Sequence, residues 1–209
     1  MNDLAAIVFI VDDDPSVLKA LTRLISFAGL NVVTFASPQE FLDHHDHNAP
    51  GCLVLDVAMP QINGLELHQM LVARGCDLPV IFLSGHGDIP MTVRAIKQGA
   101  VNFLTKPFRG KDLIAAIHDA IEKNRIARQA RVKLNELKQR LAMLTPRERE
   151  VLSHVISGKR NKQIANELGT AEKTIKIHRA SLMKKMKAES LADLMKLTEL
   201  LVVISSPVD

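Results

Sequence analysis

Gly51-Cys52-Leu53-Val54-Leu55-Asp56 is a mostly apolar run that ends in a carboxylate. A continuous run of this length reads as a strand buried on both faces, the kind found in parallel sheets. Ligands of such sheets bind at the carboxyl ends of the strands, and Asp56 stands at one. Val57-Ala58-Met59-Pro60 follows, where Pro60 stops regular pairing. Taken alone, Asp56 is equally compatible with a solvated loop carboxylate at a strand edge. The flanking chain decides between the two.

Upstream, Ile7 to Val11 is a second apolar run, closed by Asp12-Asp13-Asp14. Pro15 sits where a helix would begin, and Val17, Leu18, Leu21, Leu24 and Ile25 follow at helical spacing up to Gly29. Val32 to Phe35 is a strand, and Ser37-Pro38-Gln39-Glu40 is a helix start with Pro at N1 and Glu at N3. That helix ends in a segment holding His44, His45 and His47, expected to be a solvated end rather than a metal site. Downstream, a helix is expected from Gly64 to about Arg74, a strand from Pro79 to Leu83 ending at Ser84, and a helix from Asp88 to Gln98. A fifth strand, Val101 to Thr105, ends at Lys106-Pro107. Strand and helix alternate five times, which predicts an α/β doubly wound domain on a five-stranded parallel sheet.

The carboxyl ends of these strands carry Asp12 and Asp13, then Asp56, then Ser84, then Lys106. In a parallel sheet those ends share one edge. Crowded carboxylates repel and need a cation, and all-oxygen ligands suit a hard ion such as Mg²⁺ (or Mn²⁺). A carboxylate beside that ion can attack a phosphoryl group. The ion and a Lys would neutralise its oxygens, and the Ser84 hydroxyl could bond one of them.

Composition narrows the classes. The 209 residues suit one large or two small domains, and 47% apolar content is ample for cores. With no Trp and no Tyr, base-stacking nucleic-acid modules lack their platform. Cys52 and Cys76 have no metal spacing, so reduced thiols are expected. No apolar run reaches the ~18 residues of a membrane span and no signal peptide opens the chain. A cytoplasmic protein with no membrane partner is the expectation. Charge is divided unevenly. Residues 1–110 hold 7 Lys+Arg and 11 Asp+Glu, whereas residues 111–209 hold 20 and 12. A basic second half suggests a polyanionic partner.

Lys111 to Thr145 contains neither Gly nor Pro. Leu113, Ile114, Ile117, Ala120 and Ile121 form an apolar face that should pack on the sheet. Leu134, Leu137, Leu141 and Leu144 continue a stripe at steps of three and four. One helix from about Lys111 to Leu144 is expected, with a flexible charged linker from Asn124 as the alternative. The Leu stripe is short for a coiled coil and could cap the next core instead.

Thr145-Pro146-Arg147-Glu148 is a strong helix start. Val151, Leu152, Val155 and Ile156 form the buried stripe of that helix. A short helix begins at Asn161, Gly169 forces a turn, and helices are expected over Ala171 to Met186 and Ser190 to Val202. Short helix, Gly-bearing turn and basic helix describe a helix-turn-helix. Ile175, Leu182 and Met186 should face the core. Lys173, Lys176, Ile177, Ala180 and Lys184 share the face that would enter the major groove. There Lys176 can reach guanine, and Ile177 and Ala180 can meet thymine methyls. Thr174, Arg179 and Lys162 are better placed for phosphates. The bland alternative is a solvated Lys-rich face.

Val11-Asp12-Asp13-Asp14, Leu55-Asp56, Met59-Pro60, Asn63-Gly64, Ser84-Gly85-His86-Gly87-Asp88 and Lys106-Pro107-Phe108 resemble the receiver domain of a two-component response regulator. The resemblance implies that Asp56 accepts phosphate from a histidine kinase. It also implies that Asp13, Asp56 and the Ala58 carbonyl hold Mg²⁺, with Asp12 acting through water. Ser84 and Lys106 would contact the phosphoryl group, and Phe103 would be the switch aromatic, acting by packing. Lys106-Pro107 would be a cis peptide. Leu144 to Leu152, Asn161 to Ala165, Leu168-Gly169 and Lys173 to Arg179 are similar to a LuxR-type DNA-binding domain. Together they resemble a FixJ/NarL-type regulator, nearest the FixJ branch through His86 to Met91. The implied architecture is a flavodoxin-like receiver over 1–122, a helical linker over 123–143 and an all-α four-helix DNA-binding domain over 144–209. Implied partners are a histidine kinase, promoter DNA, a second copy upon phosphorylation and, for an activator, RNA polymerase. Dimer contacts would come from the receiver and from Leu191, Leu194, Met195 and Leu197 of the last helix. A phosphatase or phosphotransferase enzyme would share the acidic site but has no use for the basic helix-turn-helix. A constitutive DNA-binding protein would not need all five site residues.

Overall fold

A computed structural model of the chain describes residues 6–46, 49–85 and 89–205. The chain forms two compact units, one ending at Arg128 and one beginning at Gln129. In the first, five strands alternate with helices: β1 Ile7–Val11, α1 Pro15–Phe27, β2 Asn31–Phe35, α2 Pro38–His44, β3 Gly51–Asp56, α3 Gly64–Ala73, β4 Val80–Ser84, α4 Ile89–Lys97, β5 Asn102–Thr105 and α5 Gly110–Ala142. All pairings are parallel and the strand order is β2-β1-β3-β4-β5. The order reverses at β1, where this topology opens a crevice at the strand ends.

Every residue of β3 is buried. Its side chains alternate between two cores, as the period of two demands. Leu53 and Leu55 join Phe9, Phe41, Leu67, Leu71 and Phe82 under α2, α3 and α4. Cys52 and Val54 join Ile10, Ile25, Leu113 and Ile117 under α1 and α5. The sheet is therefore sandwiched, and its central strands contact water only at their ends.

Three helix starts are closed by side-chain caps, of which the one at Ser37 was expected from sequence. Asp14 caps α1 by accepting the Ser16 N–H at 2.8 Å. Ser37 caps α2. Asn63 and Glu66 close a reciprocal capping box on α3. The three-histidine segment differs from the expectation. His45 is buried and stacks on Phe41 at 4.2 Å, with its edge toward Phe9. It is a core aromatic rather than part of a solvated end, because a ring one turn after Phe41 falls on the same helix face. His44 is exposed as expected, and His47 lies outside the described residues.

Residues 124–142 are helical and continuous with the start of α5, so the coil alternative does not hold. Asn124, read as the start of a linker, is instead an anchor. Its buried side chain accepts the Gly51 N–H at 3.2 Å and donates to the Asp77 carbonyl at 3.3 Å.

The second unit contains the last turns of α5, then α6 Pro146–Ile156, α7 Asn161–Glu167, α8 Glu172–Met186 and α9 Leu191–Ser205. Its core joins Leu137 and Leu144 to Val151, Val155, Ile164, Ile175, Leu182, Met186 and Leu194. The Leu stripe at the end of α5 thus caps this core.

Candidate functional site

The register of the sheet assembles the first site. Val11 pairs with Leu55, so Asp12 and Asp56 follow side by side at the ends of β1 and β3. Ser84 pairs with Thr105, so Lys106 emerges one residue beyond β5. Asp12, Asp56 and Ser84 are all buried. The Lys106 ammonium lies between the two carboxylates, 2.6 Å from Asp56 Oδ1 and 3.1 Å from Asp12 Oδ2. The remaining oxygens are also held. Asp56 Oδ2 accepts the Ala58 N–H at 2.7 Å and Asp12 Oδ1 accepts the Asp14 N–H at 2.9 Å. Lys106-Pro107 is cis.

Electrostatics follow from this burial. Desolvation raises the Asp12 pKa above the usual carboxylate value, outweighing the bonds from Asp14 and Lys106. For Lys106, burial opposes the charge, but its bonds to Asp56 and Asp12 prevail and raise its pKa. The pocket thus keeps a full positive charge against two carboxylates.

Asp13 is exposed rather than turned into this cluster. Among the described residues, no three His, Cys, Asp or Glu side chains converge as a ready cage. The donor set nevertheless fits a hard divalent ion. Asp12 and Asp56 offer buried oxygens, Asp13 offers an exposed one, and Mg²⁺ characteristically keeps several waters and takes only one or two carboxylates. Phe103 pairs with Phe82 across the β4–β5 register and packs half-buried on the core, ring centroids 6.3 Å apart. His86, Gly87 and Asp88 lie outside the described residues, as do the side chains of Ile89, Pro90 and Met91.

Gly64 is a positioning residue that reading by motif named without explaining. A Cβ there would fall 2.2 Å from the Asp56 carbonyl oxygen. The start of α3 therefore lies directly against the backbone that carries Asp56.

The second unit presents α8. Ile175, Leu182 and Met186 are buried. Lys173, Lys176, Ile177, Ala180 and Lys184 are exposed together on the other face, as is Lys162 at the start of α7. Ile177 is 62% exposed, an apolar side chain in water amid lysines. Thr174 is half-buried. Arg179 is half-buried too and donates to Asn161 Oδ1 at 2.9 Å, tying α8 to α7. Gly169 adopts a φ of 61° in the turn between them, a conformation that Gly reaches without a Cβ clash. In α9, Leu194 is core and Leu197 packs against it, whereas Leu191 and Met195 are exposed. Only the latter two stay available for an interface.

By its place in the sequence Glu148 is the N3 residue of a capped helix start and nothing more. The structure buries it against α8, where it meets Ser181 and Lys185. No short-range pattern carries that signal.

A response regulator receiver domain matches residues 8–118, and the luxR family of bacterial regulatory proteins matches residues 142–198. The response regulator protein TodT of Pseudomonas putida is 46% identical over 199 residues, covering 95% of this chain and 88% of TodT. The transcriptional regulatory protein FixJ of Bradyrhizobium diazoefficiens is 39% identical over 190 residues, covering 91% of this chain and 93% of FixJ. The solved structure of the response regulator StyR superposes with a TM-score of 0.87 at 47% identity, covering 93% of this chain and 98% of that one. TodT and StyR are response regulators and FixJ is a transcriptional regulatory protein. No described helix is long and apolar enough to cross a membrane. With receiver and luxR-type matches that together span most of its length, the chain belongs to the FixJ/NarL-type response regulators.

Proposed function

We propose that this chain is a phosphorylation-gated transcription regulator, divided into a receiver (1–122), a helical linker (123–143) and a DNA-binding domain (144–209). Asp56 accepts a phosphoryl group from the phosphohistidine of a sensor kinase. An Asp56 oxygen bonds phosphorus, the P–N bond breaks, and the imidazole leaves with a proton. The observation that carries the reading is the Lys106 ammonium, held between Asp56 and Asp12 at the sheet edge. It places fixed positive charge where the phosphoryl oxygens will lie. Asp13, Asp56 and the Ala58 carbonyl would hold Mg²⁺ (or Mn²⁺), with Asp12 acting through water, and the ion would supply further positive charge to the phosphoryl oxygens. Ser84 then bonds a phosphoryl oxygen, and Phe103 follows by packing.

The face of α4 and β5, where Val93 and Ile96 are already exposed, then pairs two copies. Pairing raises the effective concentration of the DNA-binding domains. Lys173, Lys176, Ile177, Ala180 and Lys184 read promoter DNA, and Lys162, Thr174 and Arg179 hold phosphates. An activator working with RNA polymerase in the cytoplasm fits this sequence of events.

The test compares the unmodified chain with Asp56→Asn after treatment with acetyl phosphate and Mg²⁺. The unmodified chain should gain one base-labile phosphoryl group, double its mass in solution and footprint promoter DNA at least about tenfold more tightly. Asp56→Asn should show none of these changes. Equal DNA affinity and equal mass with and without phosphorylation would remove the gating claim.

A further inference from the structure

We infer that Glu148 is a positioning residue for DNA recognition: its buried carboxylate fixes the register in which α8 is presented to the duplex. The inference rests on the DNA-binding reading of α8. Glu148 is the N3 residue of α6 and only 4% exposed. Its oxygens are fully used. Oε1 accepts from Ser181 Oγ at 2.6 Å, and Oε2 accepts from Lys185 Nζ at 2.7 Å and from the Thr145 N–H at 2.8 Å.

Capping explains only the bond to Thr145, which a Gln at N3 would also make. The other two partners lie on α8, one turn apart, beside the buried stripe of Ile175, Leu182 and Met186. Lys185 reaches further and donates to the Met143 carbonyl at 3.2 Å. Arg140 donates to the Met186 carbonyl at 3.3 Å, at the C-terminal end of the same helix. The C-terminal half of α8 is therefore fastened to the start of α6 and the end of α5 by one carboxylate, two cations and a hydroxyl. These contacts hold the Glu148 carboxyl down at about 2, Lys185 first and Ser181 next.

Apolar packing is non-directional. The stripe of Ile175, Leu182 and Met186 holds α8 onto the core but tolerates small rotations and slides. Charge-assisted hydrogen bonds are directional and intolerant of displacement. The recognition side chains Lys173, Lys176, Ile177 and Ala180 lie within about three turns of the clasp on the same rigid helix. A rotation at Ser181 and Lys185 would therefore move all of them relative to base edges. Phosphate contacts survive such a shift better than base contacts do, so the clasp should govern specificity more than total affinity.

The experiment uses the full chain treated with acetyl phosphate and Mg²⁺. Its probes are the tightest duplex selected from a randomised library by the unmodified chain, and poly(dI·dC) as non-specific competitor. Glu148→Gln keeps the cap to Thr145 and removes the charge. Expected are unchanged Asp56 phosphorylation, near-native helix content, and a drop of about tenfold or more in the ratio of specific to non-specific affinity. Lys185→Gln should give the same drop, and the double variant no further one. Ser181→Ala removes a single bond and should lower the ratio by a smaller factor; it decides the matter if Glu148→Gln fails to fold. Lys176→Ala serves as the control for the DNA reading and should weaken selected-duplex binding with the clasp intact. A loss with Lys176→Ala alongside an unchanged ratio in Glu148→Gln and Ser181→Ala overturns the positioning role alone. No loss with Lys176→Ala, and no preference of the unmodified chain for the selected duplex, overturns the DNA-binding reading beneath it.

Discussion

Asp12 lies buried in a place that disfavours its charge. Burial raises its pKa above 3.8 despite the nearby Lys106. A carboxylate whose folded pKa is raised contributes stability below its unfolded pKa and loses that contribution as pH rises through the folded value. Asp12→Asn keeps the shape and removes the penalty. It should therefore stabilise the receiver at pH 7 while abolishing efficient phosphorylation of Asp56. Urea melts at pH 7 and near pH 4 check this, since the gain should shrink as the pH approaches 3.8. A destabilised Asp12→Asn at pH 7 would mean that the Lys106 pair dominates the energetics. Asp12, Asp56, Ser84 and Lys106 were all legible in the sequence as residues at strand ends. What the sequence left open was their direction. Asp13, adjacent to Asp12, is exposed in the bend that follows β1.

Among the elements, the β3–α3 junction carries the tightest backbone approach to the site. Gly64 N–H donates to the Val57 carbonyl at 3.0 Å, and an added Cβ would meet the Asp56 carbonyl at 2.2 Å and the Val57 Cα at 3.1 Å. Both neighbours are backbone and cannot turn aside. Gly64→Ala should cost about 2–3 kcal/mol and slow phosphorylation of Asp56 by displacing the end of β3. Denaturant melts and the rate of labelling by acetyl phosphate measure the two effects. Native stability and native rate together would show that α3 can retreat freely. The Asn63-Gly64 pair was visible as a motif, whereas the capping box of Asn63 and Glu66 emerged from the structure. The reason for Gly lies outside any local pattern, in a strand end eight residues earlier. Asn124 is a similar case, since its partners Gly51 and Asp77 are distant in sequence.

At the scale of the molecule, the DNA-binding unit begins before its helix-turn-helix motif. Leu137 is buried in its core and Leu141 packs against it, while Arg140 caps α8. A fragment of residues 129–209 should therefore be more stable than one of residues 144–209 by on the order of 3 kcal/mol. Thermal melts of the two fragments decide it. Equal melting temperatures would reduce the end of α5 to a passive tether.

Periodicity and capping are local, and so the sequence by itself determined the five strand–helix alternations, the capped starts of α2 and α6, and the amphipathic stripe of α8. Hydrogen-bond closure within one turn and side-chain alternation along a strand depend only on near neighbours. The partners of the opening strand's carboxylate came from register. Asp56 meets Lys106 across 50 residues because β1, β3, β4 and β5 align at one edge. The burial of His45, Asn124 and Glu148 was settled only by packing, since whether a polar group is solvated depends on what folds over it from elsewhere in the chain.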